Sequence, residues 1–295
     1  MDALMTDSVS TAPAALGAIA VSGADAADFL RAQLSNDVMR LGHDRHFLAA
    51  WCDAKGRTQM IARVCERDDG YLLILPEELI DGVMKRLQMF VLRAAVKLSD
   101  CRGVLRIIAR VGGDMPAPNQ SSHSDDVIRL GLAPNGEGEP RALEIVSADR
   151  PPEPQSISTD DTRWLALDID AGIPTLTLAT QGMFVPQMLN LHWLGAIDFD
   201  KGCYPGQEVI ARLHYRGTLT RRMFRLFWHG EQPLPGSDVI DADGERAGTV
   251  LSAAPNATPD QGALLAVIKT RAIGGLLTST NATLELGELP YPTPG

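Results

Sequence analysis

No stretch of this chain approaches the roughly 20 consecutive apolar residues that a helical membrane span requires, so no membrane partner is expected. Residues 1–14 show no basic segment followed by an apolar core, and a cytoplasmic address is therefore expected. Cysteine is sparse: Cys52, Cys65, Cys101 and Cys203 are scattered, with no CxxC pair and no spacing that assembles metal ligands locally. Reduced thiols and no metal site follow. Positive charge is also short, with a net charge of −10, which argues against a nucleic-acid face spread over the whole protein, since phosphate contacts need a basic surface. No direct nucleic-acid partner is expected, although a local basic patch stays open. Internal repeats and low-complexity runs are absent.

What remains is 295 residues, 45% of them hydrophobic, enough for two or three domains. Residues 1–13 are small and polar and read as a loose tail. The segment 17–23 reads as a strand, and 24–34 as a helix with Ala26, Phe29, Leu30 and Leu34 at helical spacing and Ser22 or Asp25 as its cap. Runs at 47–52 and 59–65 flank Asp53-Ala54-Lys55-Gly56-Arg57 as a hairpin, and 71–75 adds a third strand. Over 77–92 the residues Leu79, Ile80, Val83, Leu87, Phe90 and Val91 fall on one helical face, before a strand at 104–110. Loop-forming residues dominate 112–154, interrupted by weak strands at 127–132 and 142–146. A helix is expected over 160–171, capped by Thr159 or Asp160 and stopped at Gly172-Ile173-Pro174. Beyond Gly217, short strands at 224–228, 250–251 and 264–268 alternate with turn residues, the texture of a small β-barrel. The fold class is α+β.

The densest chemistry is in Lys201-Gly202-Cys203-Tyr204-Pro205-Gly206-Gln207-Glu208, followed by Arg212, His214 and Arg216. A thiol reacts as thiolate, and neighbouring cations or a helix N-terminus lower its pKa from roughly 8.5. The glycines permit close backbone approach, and Lys201 supplies charge, so Cys203 is the candidate reactive residue. The plain alternative is a small buried hydrophobe in a turn. Nucleophile, redox-sensitive thiol and single metal ligand all stay open. The cations Lys201, Arg212, His214, Arg216, Arg221, Arg222 and Arg225 are either solvated charge or a field for an anionic ligand. At 163–174, a carboxylate of Asp168 or Asp170 next to Gly172 suits two adjacent N–H donors of a flat heterocycle, and Trp164 offers either a stacking face or core packing. The Asp53–Arg57 turn has meaning only where it reaches a pocket.

The octapeptide at 201–208 resembles the signature of the YgfZ family of folate-binding proteins, relatives of the glycine cleavage T-protein (aminomethyltransferase). Segments 29–38, 52–57, 170–174 and 184–191 resemble family segments in the same order, so the likeness runs from about Leu16 into the barrel. It implies two interleaved ferredoxin-like α+β parts around a central channel (14–50 with 155–216, and 51–154) and a C-terminal β-barrel over 217–290. It also implies tetrahydrofolate or a derivative as cofactor, a role in iron–sulfur cluster assembly or repair, and support of an iron–sulfur enzyme that modifies tRNA. The partners implied are folate and iron–sulfur proteins or assembly factors. Cys203 and Lys201 take the functional positions, with Trp164, Asp170, Gln187, Asn190, Tyr204 and Arg212 as folate-site residues. The T-protein's activating lysine–aspartate pair has no counterpart near Leu75–Leu79, and Gln181-Gly182-Met183 stands where many members carry an acid. Independent turnover is therefore not expected, and a tetrahydrofolate-dependent aminomethyltransferase or other one-carbon transferase is the alternative.

Overall fold

The computed structural model describes residues 9–11, 15–124, 126–136, 138–151, 161–256 and 258–293. In chain order the strands are β1 (Val9–Thr11), β2 (Leu16–Ser22), β3 (His46–Cys52), β4 (Thr58–Arg67), β5 (Gly70–Pro76), β6 (Lys97–Asp100), β7 (Leu105–Val111), β8 (Ser121–Ser124), β9 (Val127–Leu132), β10 (Arg141–Ser147), β11 (Arg221–Gly230), β12 (Asp238–Ile240), β13 (Arg246–Pro255), β14 (Gln261–Lys269), β15 (Leu277–Ser279) and β16 (Ala282–Leu286). The helices are α1 (Ala26–Gln33), α2 (Glu77–Val91), α3 (Asp161–Asp170) and α4 (Gln207–Arg216). The chain divides into two discontinuous units: Met1–Phe29, Val38–Phe47 and Arg63–Trp164 form one, and Leu30–Asp37, Leu48–Ala62 and Leu165–Gly295 the other. Strands β3 and β4 each begin in one unit and end in the other.

Two five-stranded antiparallel sheets, ordered β3-β4-β5-β2-β6 and β1-β7-β10-β9-β8, precede a closed barrel, β11-β14-β13-β12-β15-β16. Within the first unit α2 packs on β2 and β5. It buries Leu79, Ile80, Val83, Leu87 and Val91, each worth roughly 1.5–3 kcal/mol when fully removed from water. Phe90, which the periodicity also places on that face, is 45% exposed instead. Alternation along β11 sends Phe224, Leu226 and Trp228 into the barrel core with Val250, Leu264, Ala266 and Ile268, and leaves Arg225 and Phe227 facing out. Closing the barrel pairs β11 with both β14 and β16, so no edge is left on it.

Several expectations are corrected. The loose tail expected over 1–13 contains β1, whose Val9 to Thr11 pair antiparallel with Val111 to Ala109 of β7. Among the described residues between 112 and 154 there are three strands rather than two, because Ser121–Ser124 pairs with β9 although its sequence, Ser-Ser-His-Ser, carries no apolar signal. Strand β6, sequence Lys-Leu-Ser-Asp, is likewise invisible to periodicity and is recruited by β2. The caps Thr159 and Asp160 lie outside the described residues. Helix α3 stops as expected: Gly172 adopts φ 65°, and Ile173 N–H returns to Asp168 O at 2.9 Å.

Candidate functional site

The segment from Phe184 to Arg225, with the 30–37 and 48–62 stretches, belongs to the second unit and holds most of the candidate residues. The motif folds as a loop running into α4, with Gly206 at the N-cap in the left-handed region (φ 79°). A methyl group on Gly206 would stand 2.5 Å from Gly56 Cα and 2.6 Å from Asp53 O. The cysteine loop therefore lies directly on the Asp53–Arg57 turn, glycine against glycine, and this explains two residue choices that sequence left unconnected. The turn is itself rigid, since Asp53 Oδ1 accepts the N–H groups of Lys55 and Arg57, both at 2.9 Å. Arg57 then donates to Met183 O at 2.7 Å, and Gln181 Nε2 to Gln59 O at 2.8 Å.

Lys201 is buried, and its ammonium donates to Arg31 O at 2.5 Å and to Leu34 O at 2.7 Å. These are the carbonyls that end α1, where a cation is favoured by both the unpaired oxygens and the helix dipole. The Nζ atom also stands 4.5 Å from the centroid of the Tyr204 ring. Burial lowers the Lys201 pKa to about 8, with Asp37 opposing that shift. Two of its three donors are spent on backbone. Lys201 thus fastens the loop to α1, and electrostatic contact with Cys203 is the smallest of the influences on it.

Cys203 is exposed, whereas Cys52, Cys65 and Cys101 are buried. Burial pushes the Cys52 and Cys65 thiols up to about 12 and raises that of Cys101. Tyr204, also buried, is raised by desolvation and then by Cys52 and Asp198. Arg212 is exposed on α4, whose last turn carries His214 and Arg216, and His214 stacks on Phe199 at 3.8 Å. Among the described residues, no group of three or more His, Cys, Asp or Glu side chains is placed to hold a metal ion.

Gln187 lies in the 3-10 helix Pro186–Leu189, and Asn190 caps it in the left-handed region (φ 57°). Their amides are anchored through nitrogen: Gln187 Nε2 donates to Ile210 O at 2.6 Å, and Asn190 Nδ2 to Met223 O at 3.0 Å. Both amide oxygens, Gln187 Oε1 and Asn190 Oδ1, are buried without a donor among the described residues. Such acceptors are rare in folded proteins, and neither oxygen opens onto solvent-sized space. The two amides thus tie the 3-10 helix to α4 and to β11.

Asp170, at the end of α3, is engaged by Arg225 from the outer face of β11. A carboxylate offers about four lone-pair positions, so this pairing leaves acceptor capacity. Trp164 belongs to the other unit, where it is 3% exposed and lies 5.0 Å beneath the Arg141 guanidinium. The residue that sequence reading missed is Tyr291, whose hydroxyl donates to Gly172 O at 2.9 Å and accepts from Asn190 Nδ2 at 3.4 Å. Its only signal is an aromatic set between prolines in Leu289-Pro290-Tyr291-Pro292, in a chain with four tyrosines.

No protein-family model matches the chain. Curated proteins do: a tRNA-modifying protein YgfZ of Colwellia psychrerythraea is 34% identical over 258 residues, covering 80% of this chain and 78% of that protein. The protein of the same name from Enterobacter sp. is 32% identical over 251 residues, covering 79% and 77%. That of Cronobacter sakazakii is 30% identical over 301 residues, covering 92% and 89%. Among solved structures, the glycine cleavage system aminomethyltransferase T of Bartonella henselae superimposes with a TM-score of 0.75 at 14% identity, over 96% of this chain and 86% of that one. At that identity the likeness shows the fold: ferredoxin-like sheets followed by the closed six-stranded barrel.

Proposed function

The chain belongs to the YgfZ family, whose curated relatives are named as tRNA-modifying proteins, and from that premise we propose that it is a folate-binding accessory factor for iron–sulfur proteins, including one that modifies tRNA. The observation that carries the folate reading is the pair of Asp170 carboxylate oxygens at the end of α3, whose side chain stays 32% exposed beside Arg225. The amino-pyrimidinone edge of a reduced folate supplies N–H donors of the kind they need. In this reading Asp170 accepts from the heterocycle, Tyr204 and Arg212 belong to the set implied by the family resemblance, and the buried amides of Gln187 and Asn190 brace the surrounding elements. Bound tetrahydrofolate supplies one-carbon chemistry. The chain's own contribution is to orient that ring and to present the Cys203 thiol at an exposed loop that Lys201 and Gly206 hold in shape. It works in the cytoplasm, with iron–sulfur proteins or their assembly factors as partners.

The second reading, a tetrahydrofolate-dependent one-carbon transferase, is favoured by the fold shared with an aminomethyltransferase. A methylene-transfer assay with an aminomethylated donor separates the two. The accessory reading expects no turnover, and turnover abolished by Asp170→Ala overturns it. In cells lacking the protein, wild type restores iron–sulfur-dependent tRNA modification and Cys203→Ala does not. Full restoration by Cys203→Ala would remove the thiol from the account.

A further inference from the structure

The cations at the end of α4 and the start of β11 have no part in the folate reading, and aromatic rings lie among them. His214 stacks on Phe199 with centroids 3.8 Å and planes 15° apart, and Tyr215 meets the two rings edge-on at 4.8 Å and 6.3 Å. His192 lies within reach of the charge of His214 and packs on Trp193 at 4.4 Å. Trp193 in turn carries the Arg222 guanidinium 5.6 Å from its ring centroid. A row therefore runs from Arg222 through Trp193, His192, His214 and Phe199 to Tyr215 and Arg216, all within the second unit. It is a surface and not a core: Tyr215 is 66% exposed, His214, Arg216 and Arg221 are exposed, and Trp193 and Phe199 are partly so.

Solvated charge alone does not account for this gathering of rings in a chain with only 5% aromatic residues. The exposed acids Asp200 and Glu208 of the same segment offset part of the charge, so ring faces must supply much of any affinity. An acidic peptide or the polyglutamate tail of a folate offers carboxylates but no flat face. Single-stranded RNA offers both phosphates for arginine and unpaired bases that stack on exposed rings, whereas a duplex hides its base faces. We propose that this row is a docking surface for a single-stranded segment of RNA, with bases stacked on His214 and Tyr215 and phosphates held by Arg216, Arg221 and Arg222. The net charge of −10 confines the contact to this patch. The choice of RNA rests on the proposed service to a tRNA-modifying enzyme.

The test is fluorescence anisotropy of a labelled, unpaired RNA of about ten nucleotides titrated with the full chain, free of folate, at low salt. Saturable binding is expected, with log K falling against log salt at a slope of about −2, since three arginines contribute about 0.7 each. Tyr215→Ala should raise Kd about tenfold, while Tyr215→Phe, which keeps the ring, should leave it within about twofold. Arg216→Gln should weaken binding and take about 0.7 from the slope, whereas Lys85→Gln, which removes the same charge from α2 in the other unit, should change neither. No binding by folded wild type, a Kd unmoved by Tyr215→Ala, or equal effects of Arg216→Gln and Lys85→Gln overturns the proposal. Equal affinity for a duplex of the same length also overturns it, as does displacement of the RNA by an oligoglutamate peptide at matched charge, which marks a carboxylate site instead. Tetrahydrofolate is absent from these titrations, so their failure leaves the folate reading standing, and failure of folate binding leaves the RNA result intact.

Discussion

At the scale of single residues, exposure rather than sequence neighbourhood separates the four cysteines. Cys203 is exposed, while burial holds Cys52 and Cys65 at about 12 and raises Cys101. Under native conditions near neutral pH, iodoacetamide should therefore label one cysteine per chain, identified by peptide mapping as Cys203. Equal labelling of all four without denaturant contradicts this. Lys201→Ala should destabilise the fold by about 2 kcal/mol in urea, because the α1 carbonyls of Arg31 and Leu34 lose a charged donor. The cation beside the thiol was legible in sequence, but its engagement with α1 was not, since those carbonyls lie 167 and 170 positions away.

Two histidines, His46 buried and His192 half-buried, make stability depend on acid. His46 donates through Nε2 to Gly131 O at 2.8 Å and leaves Nδ1 unpaired, and burial, with Arg63 adding to it, lowers its pKa to about 3. His192 is lowered to about 4 by burial and by His214. Below the unfolded value of about 6.5 the unfolded chain takes up protons that the folded chain refuses, so stability falls as pH falls from 6.5 towards 4. His46 should account for about 2 kcal/mol lost between pH 7 and pH 5, and the half-buried His192, screened by solvent, for less. In urea titrations at those two pH values, His46→Gln should shrink the difference by about 2 kcal/mol. An unaltered difference would show that His46 is protonated in the fold.

At the scale of elements, the contact of Gly206 with the Asp53–Gly56 turn is the decisive local constraint. Gly206→Ala combines a left-handed backbone with contacts of 2.5–2.8 Å to backbone atoms and should cost more than about 2 kcal/mol in a denaturation experiment. Gly202→Ala, where an added methyl group meets nothing within 4 Å, should change stability by less than about 0.5 kcal/mol. Similar losses for both would mean that the two turns do not bear on each other. The sequence showed that both segments turn, but not that they touch. Periodicity marked out α2, the β3–β4 hairpin, the termination of α3 at Gly172 and the barrel strands around Phe224–Trp228. It missed β1, β6 and β8 because three- or four-residue polar strands take their conformation from the neighbour that pairs with them.

At the scale of the whole molecule, relatives 30–34% identical over most of the chain place it in the family that the motif at 201–208 had already indicated, and the closed barrel belongs to the shared fold. The folate site was only partly legible. Gln187 and Asn190 lie in a segment that resembles the family, yet their bracing role emerges only from the anchoring of their nitrogens to Ile210 and Met223. Tyr291 carried no pattern at all, since it works from the tail of the chain on a residue 101 positions earlier. The most direct measurement is equilibrium binding of tetrahydrofolate, under anaerobic conditions, to wild type and to the isosteric variant Asp170→Asn. The account predicts saturable binding to wild type and a Kd at least about tenfold higher in the variant, as expected for loss of about 1.4 kcal/mol. No binding to folded wild type, or equal affinity in the two proteins, would contradict it.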